Sequence, residues 1–132
     1  MTRLSLGIGL SSCATRAEVD ALTHQVLDEA GVDLAAVTVV ATREALAADP
    51  RLRLGPPVVA VDDATLLADH PAKPVTSAAR HFPARVAEGC ALTAAGRGAV
   101  LVVSTRRSAH ATAALAVERE DRRDAGAAGP AS

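Results

Sequence analysis

Aromatic side chains are almost missing from this sequence, whose 132 residues include one phenylalanine and no tyrosine or tryptophan. Proteins that hold single-stranded nucleic acid stack the bases on aromatic rings, so a surface of that kind is not expected. The formal net charge of -1 also excludes the strongly basic surface needed to bind a duplex. Hydrophobic residues still make up 49% of the chain, and we therefore expect one core built from aliphatic side chains.

Cysteines and long apolar runs are scarce as well. Cys13 and Cys90 are the two cysteines, and their spacing matches neither a zinc site nor a disulfide framework. The stretch Leu10–Cys13 has the composition of a lipoprotein cleavage box, but the segment before it is shorter than a secretory signal of about 15 to 30 residues. No uncharged apolar run reaches the roughly 18 residues of a membrane span. These absences predict a cytoplasmic protein with no membrane association and no metal centre.

Short apolar runs alternate with stretches of helical spacing. Because strands that alternate with helices pack as layers, the pattern predicts a single three-layer α/β/α domain with a mixed, mostly parallel sheet of about five strands. The predicted strands are Arg3–Gly9, Val37–Ala41, Val58–Val61, Ala99–Val103 and Ala111–Val117. The predicted helices follow the Thr15–Glu18 capping box as far as Gly31, span Arg43–Ala48 with Thr42 as the cap and Pro50 as the stop, follow Asp62 or Asp63, and span Val86–Ala95.

The last two predicted strands have no helix between them. They are therefore expected to pair as a hairpin across a loop at Thr105–Ala109. The run Ala99–Val103 is continuously apolar, which predicts a strand covered on both faces.

Two segments are expected to lie outside the core. Residues 69–83 contain three prolines and show no clear periodicity, which predicts a mobile segment that closes over a site as a lid. Residues 119–132 are charged at first and then consist mainly of alanine and glycine, a composition that predicts a disordered tail. The domain is therefore expected to span residues 1–118.

The loop after the first strand is a candidate anion site. Gly7 and Gly9 allow another group to approach the backbone closely, and Ser11, Ser12 and Thr15 supply hydroxyls in front of a helix N-terminus. An ordinary tight turn between a strand and a helix is the alternative. Neither the third glycine of a dinucleotide fingerprint nor a P-loop is present, so no cofactor is predicted.

The segment Ser104–His110 is rich in hydrogen-bond donors at the end of a predicted strand. Open α/β sheets hold ligands at the carboxyl ends of their strands, and the arginine fork suits carboxylates. Arg106, Arg107 and Ser108 are therefore predicted to bind a ligand, with a solvated hairpin tip as the alternative. In an extended chain the two arginines point to opposite faces, so that one faces the ligand and the other faces solvent.

Glu88 and His110 are the weak candidates for catalysis. Glu88 is a candidate base, and its alternative role is that of an acid in the first turn of a helix. His110 is a candidate proton carrier or metal ligand, but it has no second ligand at metal-binding spacing, and a surface position on the hairpin is its alternative. A triad of Ser12 or Ser108 with these residues lacks the spacing of a nucleophile elbow.

Four blocks of this sequence together resemble the cobalamin-biosynthesis family that comprises CobE and the C-terminal domain of CbiG. The blocks are Gly7–Gly9 with the polar loop to Thr15, Val39–Thr42 leading to Ala48–Pro50, Val86–Leu92, and Arg106–Ala116. The resemblance covers nearly everything except the tail. Two departures stand out: Leu10–Cys13 replaces a basic run that the family usually has, and Thr42-Arg43-Glu44 keeps the usual cation after the second strand but displaces the Asp that accompanies it.

The resemblance implies a compact α/β/α domain that acts on a corrin-ring precursor, a polycarboxylate tetrapyrrole. It implies either a hydrolase like cobalt-precorrin-5A hydrolase, which opens a δ-lactone and releases a two-carbon aldehyde, or a non-catalytic carrier or accessory domain for another enzyme of the pathway. An unrelated phosphate- or anion-binding α/β protein is the alternative that the first loop alone supports. Thr42 and Arg43 join the predicted ligand-binding residues through this resemblance.

Overall fold

Five strands and two α-helices make up the part of the protein that the structure, a computed structural model, describes, namely residues 3–62, 82–96 and 98–118. In chain order these elements are β1 (Leu4–Leu10), α1 (Arg16–Ala30), β2 (Val39–Arg43), β3 (Val58–Val61), α2 (Phe82–Ala95), β4 (Val100–Arg107) and β5 (Ala111–Val117). Single turns of 3-10 helix lie in the connections at Leu34–Ala36, Glu44–Leu46 and Pro50–Leu52.

The strands form one mixed sheet in the order β3-β2-β1-β5-β4. β1 pairs with β2 and β2 with β3 in parallel, whereas β5 is antiparallel to both of its neighbours, β1 and β4. Four of these five strands therefore run in one direction. This confirms the predicted mixed, mostly parallel sheet and the predicted hairpin of the last two strands.

One helix covers each face of the sheet. Side chains of a strand alternate between its faces, and Leu6 and Ile8 of β1 belong to the core that includes Val26 of α1. On the opposite face, Ala41 of β2 packs in the core that includes Cys90 of α2. The predicted three-layer arrangement is therefore confirmed.

α1 begins and ends where the sequence predicts. The Thr15 hydroxyl accepts a hydrogen bond from the Glu18 amide at 3.1 Å, which satisfies one of the amides left unpaired at a helix start. Gly31 ends the helix with a φ of 71°, a left-handed conformation that glycine adopts without a steric penalty.

Gly7 allows the backbones of α2 and β1 to approach each other closely. A Cβ atom at Gly7 would stand 2.0 Å from the carbonyl oxygen of Ala87 and 2.8 Å from the amide nitrogen of Ala91, and backbone atoms cannot rotate away as a flexible side chain does. Gly7 therefore serves the packing of a helix on the sheet, and the helix occupies the space that a ligand was predicted to approach.

β4 differs from its prediction in two ways. It is the edge strand of the described sheet, and Val100 and Val102 are 40% and 45% exposed, so the prediction of a strand covered on both faces was wrong. The equally apolar β5 takes the interior position between β1 and β4 instead. The strand also continues to Arg107, which shortens the hairpin turn to Ser108–His110.

β2 extends through Arg43 and replaces the start of the predicted short helix. The Thr42 side chain is buried in the strand and donates a hydrogen bond to the Ile8 carbonyl oxygen at 2.9 Å, so Thr42 does not cap a helix. Pro50 begins a 3-10 turn instead of ending a helix, because Asp49 caps that turn and proline suits its first position.

Some predictions fall on other parts of the chain. The helix predicted after Asp62 or Asp63, most of the segment 69–83 and the tail 119–132 lie outside the described residues. Within the described ranges, no helix is long and apolar enough to cross a membrane.

Candidate binding site at the carboxyl edge of the sheet

The carboxyl ends of β1 and β4 meet at one edge of the sheet, where β5 begins. Leu10 pairs with Ala111 and Arg107 with Thr112. The loop after β1 and the hairpin turn are also joined directly, since the Ser11 amide donates a hydrogen bond to the His110 carbonyl oxygen at 2.9 Å. We call this region the carboxyl edge; it holds residues 11–15, Arg43 and residues 107–110.

Both α-helices start at the carboxyl edge. α1 follows the loop after β1, and α2 runs back along the sheet, because Ala87 lies over Gly7 whereas the Ala94 carbonyl oxygen lies 3.1 Å from Arg3 Nη1 at the start of β1. The N-terminus of a helix carries a partial positive charge that favours anions. The two helix dipoles therefore make this edge more positive than the opposite one.

Arg107 and Gly9 lie in one cross-strand row on the α2 face. Thr112 pairs with Gly9 on one side and with Arg107 on the other. Gly9 follows Gly7 by two residues, and Gly7 pairs with Ala41, so Arg43 continues the row on β2. Arg107 is exposed, and its side chain makes no hydrogen bond or ion pair with the described part of the chain. Its guanidinium is available to a ligand.

Arg106 faces the opposite side of the sheet and is held by α1. It pairs with Ala113, and its Nη2 and Nε atoms lie 2.7 and 2.9 Å from Oε1 of Glu29. This contact raises the pKa of Arg106, and the guanidinium lowers the pKa of Glu29. The prediction that the two arginines point to opposite faces is confirmed; a ligand that used Arg106 would have to displace Glu29.

Glu18 fastens the hairpin turn to the start of α1. Its carboxylate accepts hydrogen bonds from the Ser108 hydroxyl and from the His110 amide at 2.5 Å. Both donors lower the pKa of Glu18, the Ser108 hydroxyl more than the His110 amide, because they stabilise its ionised form. The Ser108 hydroxyl that was predicted to bind a ligand is therefore engaged within the protein.

Arg51 holds the loop after β1, although it is not among the residues predicted for the site. Its Nη1 atom donates to the carbonyl oxygens of Ser11 at 3.1 Å and Ala14 at 2.8 Å, while its Nη2 atom lies 2.5 Å from Asp49 Oδ2. This hydrogen bond lowers the pKa of Asp49. The pairing of Asp49 with Arg51 two residues later is visible in the sequence, but the two carbonyl partners are distant along the chain and carry no sequence signal.

The remaining predicted residues divide between the edge and the interior. Ser12 is exposed in the loop, and Thr15 caps α1. The Ser11 hydroxyl accepts the Cys13 amide at 3.3 Å. Thr42 is fully buried on the α1 side of β2, so its hydroxyl is not accessible to a ligand at the edge.

Of the two catalytic candidates, Glu88 is engaged through its carboxylate, whereas His110 is engaged through its backbone alone. Oε2 of Glu88 accepts a hydrogen bond from the Thr105 amide at 2.9 Å. The His110 side chain is exposed, and the backbone of His110 joins Glu18 and Ser11. In residues 3–62, 82–96 and 98–118, no group of three or more His, Cys, Asp or Glu side chains could hold a metal ion.

A family model described as Cobalamin synthesis G C-terminus matches residues 4–116 of this chain. This chain belongs to that family. Protein CobE from a Sinorhizobium species is 39% identical over 121 residues, which cover 86% of this chain and 79% of the relative. The resemblance to CobE and to the C-terminal domain of CbiG is therefore confirmed.

Two solved structures share the fold of this chain. The crystal structure of CobE, a protein from the cobalamin (vitamin B12) biosynthetic pathway, matches with a TM-score of 0.72 and 29% identity over 88% of this chain and 90% of that chain. Cobalamin biosynthesis protein chiG from Agrobacterium tumefaciens matches with a TM-score of 0.66 and 24% identity over 89% of this chain and 99% of that chain. The chain is a member of a cobalamin-biosynthesis protein family.

Proposed function

We propose that this protein binds a corrin-ring precursor of cobalamin and holds it by its peripheral carboxylates at the carboxyl edge of the sheet. Membership of the family indicates the pathway, which is cobalamin biosynthesis. A corrin precursor is a flat macrocycle with acetate and propionate side chains, and a guanidinium fork binds such carboxylates through two parallel hydrogen bonds.

The observation that carries this proposal is the position of Arg107. It lies at the end of β4, in a row with Gly9, and no described residue engages its side chain. The neighbouring Arg106 differs, because its guanidinium is already paired with the carboxylate of Glu29. Among the described residues, the Arg107 guanidinium is therefore available to pair with a ligand carboxylate.

The surroundings of Arg107 suit an anionic ligand. Arg43 continues the same row, and α1 and α2 both begin at this edge. Ser12 adds an exposed hydroxyl in the loop after β1. Because a macrocycle with carboxylates around its rim needs donors spread over several positions, a broad edge lined by two strand ends and a loop fits it better than a narrow cleft.

The arrangement favours binding over lactone hydrolysis. Opening a lactone requires a base that activates water and donors that stabilise the oxyanion. Glu88 accepts a backbone amide, and the Ser108 hydroxyl donates to Glu18, so neither is poised for these steps. We therefore propose a carrier or accessory role, in which the protein holds the precursor for another enzyme of the pathway.

The test is a spectroscopic titration with two corrins that differ only at the rim. Cobyrinic acid carries free carboxylates, whereas cobinamide carries amides in their place. We expect the absorption spectrum of cobyrinic acid to shift on binding, and cobinamide to bind at least tenfold more weakly, as expected when charge-assisted pairs are lost. Equal affinity for both corrins, or no binding of either, would contradict the proposal. Release of an aldehyde from a lactone-bearing precursor would instead support the hydrolase.

A further inference from the structure

The pairing of β4 with β5 is irregular twice, between Leu101 and Val103 and again between Val103 and Arg106, and the second irregularity decides which arginine faces the candidate site. Val103 pairs with Leu115 and Arg106 pairs with Ala113. Two residues, Ser104 and Thr105, therefore lie opposite Ala114 alone. This is a β-bulge, in which one strand carries one residue more than its partner.

The bulge exchanges the faces of the residues that follow it. A regular ladder after Val103 would place Thr105 opposite Ala113 and Arg106 opposite Thr112, because the side-chain period of a strand is two. Arg106 would then point to the α2 face, and Arg107 to the α1 face. With the bulge, Arg106 turns to Glu29 on the α1 face and Arg107 takes the position beside Thr112.

Glu88 holds the backbone of this bulge. It belongs to α2, and its Oε2 atom accepts the Thr105 amide at 2.9 Å. A bulge takes a residue out of the regular ladder, and β4 has only β5 as a neighbour in the described sheet. A carboxylate from the helix supplies the Thr105 amide with a strong acceptor, because hydrogen bonds to charged groups are stronger than those between neutral groups.

We infer that Glu88 is a positioning residue, which fixes the bulge in β4 and thereby places Arg107 rather than Arg106 on the binding face. The inference rests on the proposed function, since it assigns Arg107 to the ligand. It replaces the role of a base for Glu88 with a role that needs no contact with the ligand. The Glu88 carboxylate binds the backbone of Thr105 and thereby determines the face on which the Arg107 side chain lies.

The structural part of this inference can be tested without a ligand. In the wild-type protein we expect amide exchange at Thr105 to be slow and NMR contacts to join Arg106 with Ala113. Glu88→Ala should accelerate exchange at Thr105 about tenfold or more and weaken the contacts that define the bulge. Glu88→Gln keeps an acceptor oxygen and should retain most of the protection, which also guards against a variant that fails to fold. Asp28→Ala, which removes an exposed acid from α1, is the control. Unchanged exchange and contacts in Glu88→Ala would overturn the inference.

The functional part uses the cobyrinic acid titration with single and double variants. Glu88→Ala should weaken binding about tenfold, and it should add nothing in a protein that already carries Arg107→Ala, because both changes remove the same contact. If the affinity loss of the double variant equals the product of the two single losses, the inference is overturned, because Glu88 then acts independently of Arg107. If Arg107→Ala alone leaves the affinity unchanged, the proposed binding site fails, whereas the exchange measurement still decides whether Glu88 fixes the bulge.

Discussion

Gly7 and Gly31 are both positions that require glycine, but for two different physical reasons. Gly7 leaves no room for a side chain, because a Cβ atom would stand 2.0 Å from the Ala87 carbonyl oxygen. Gly31 has open space around it but a φ of 71°. We expect Gly7→Ala to lower the free energy of unfolding by about 3 kcal/mol or more through overpacking against backbone, and Gly31→Ala to lower it by about 1 kcal/mol through its left-handed conformation.

Urea denaturation of the two variants beside the wild-type protein measures both losses. Similar small losses for the two would mean that α2 does not lie against β1 as closely as described. The sequence marks Gly7 as a residue with a close neighbour, but it does not identify that neighbour. Ala87 and Ala91 follow some 80 residues later, and only the packing of α2 on β1 brings them to Gly7.

At the scale of elements, Glu18 connects α1 to the turn between β4 and β5. Its pKa is lowered in the folded protein by the Ser108 hydroxyl and the His110 amide. A lowered pKa means that the ionised carboxylate stabilises the fold. This stabilisation is complete above the ordinary value of 4.5 and is lost as the pH falls through the lowered pKa.

We therefore expect wild-type protein to be more stable than Glu18→Gln at neutral pH, with a difference that shrinks as the pH falls well below 4.5. Denaturant unfolding of both proteins over this pH range measures the difference, and Asp28→Asn on the same helix is the control. A difference that stays constant with pH would show that the ionised carboxylate does not hold the turn.

The elements also show which parts of the fold local sequence can predict. Hydrophobic runs and caps predicted five strands and the limits of α1, because these signals lie within each segment. The apolar runs of β4 and β5 look alike, so the sequence could not tell the edge strand from the interior one. Nor could it reveal the bulge at Ser104 and Thr105, since a bulge is defined by the pairing with β5 and Glu88 contacts it from α2.

At the scale of the whole molecule, the fold gathers loops that are far apart in the chain. Because β1, β2 and β4 run in one direction, the loop after β1, Arg43 and the hairpin turn all reach the same edge. The topology is thus the reason that a site could be predicted near the strand ends. The sequence could not show that Arg106 pairs with α1 and Arg107 does not, because Glu29 and Arg106 are 77 residues apart in the chain.

The most direct measurement of the central claim is the affinity for cobyrinic acid of two matched variants, Arg107→Ala and Arg106→Ala, at low and high salt. We expect Arg107→Ala to weaken binding roughly ten- to a hundredfold and Arg107→Lys to restore only part of the loss, because lysine keeps the charge without the fork. Arg106→Ala should change the affinity little, since Glu29 already occupies its guanidinium. Added salt should weaken wild-type binding more than binding by Arg107→Ala. Unchanged affinity in Arg107→Ala, or an equal loss in both variants, would contradict the assignment of the carboxyl edge and of Arg107 as its carboxylate-binding residue.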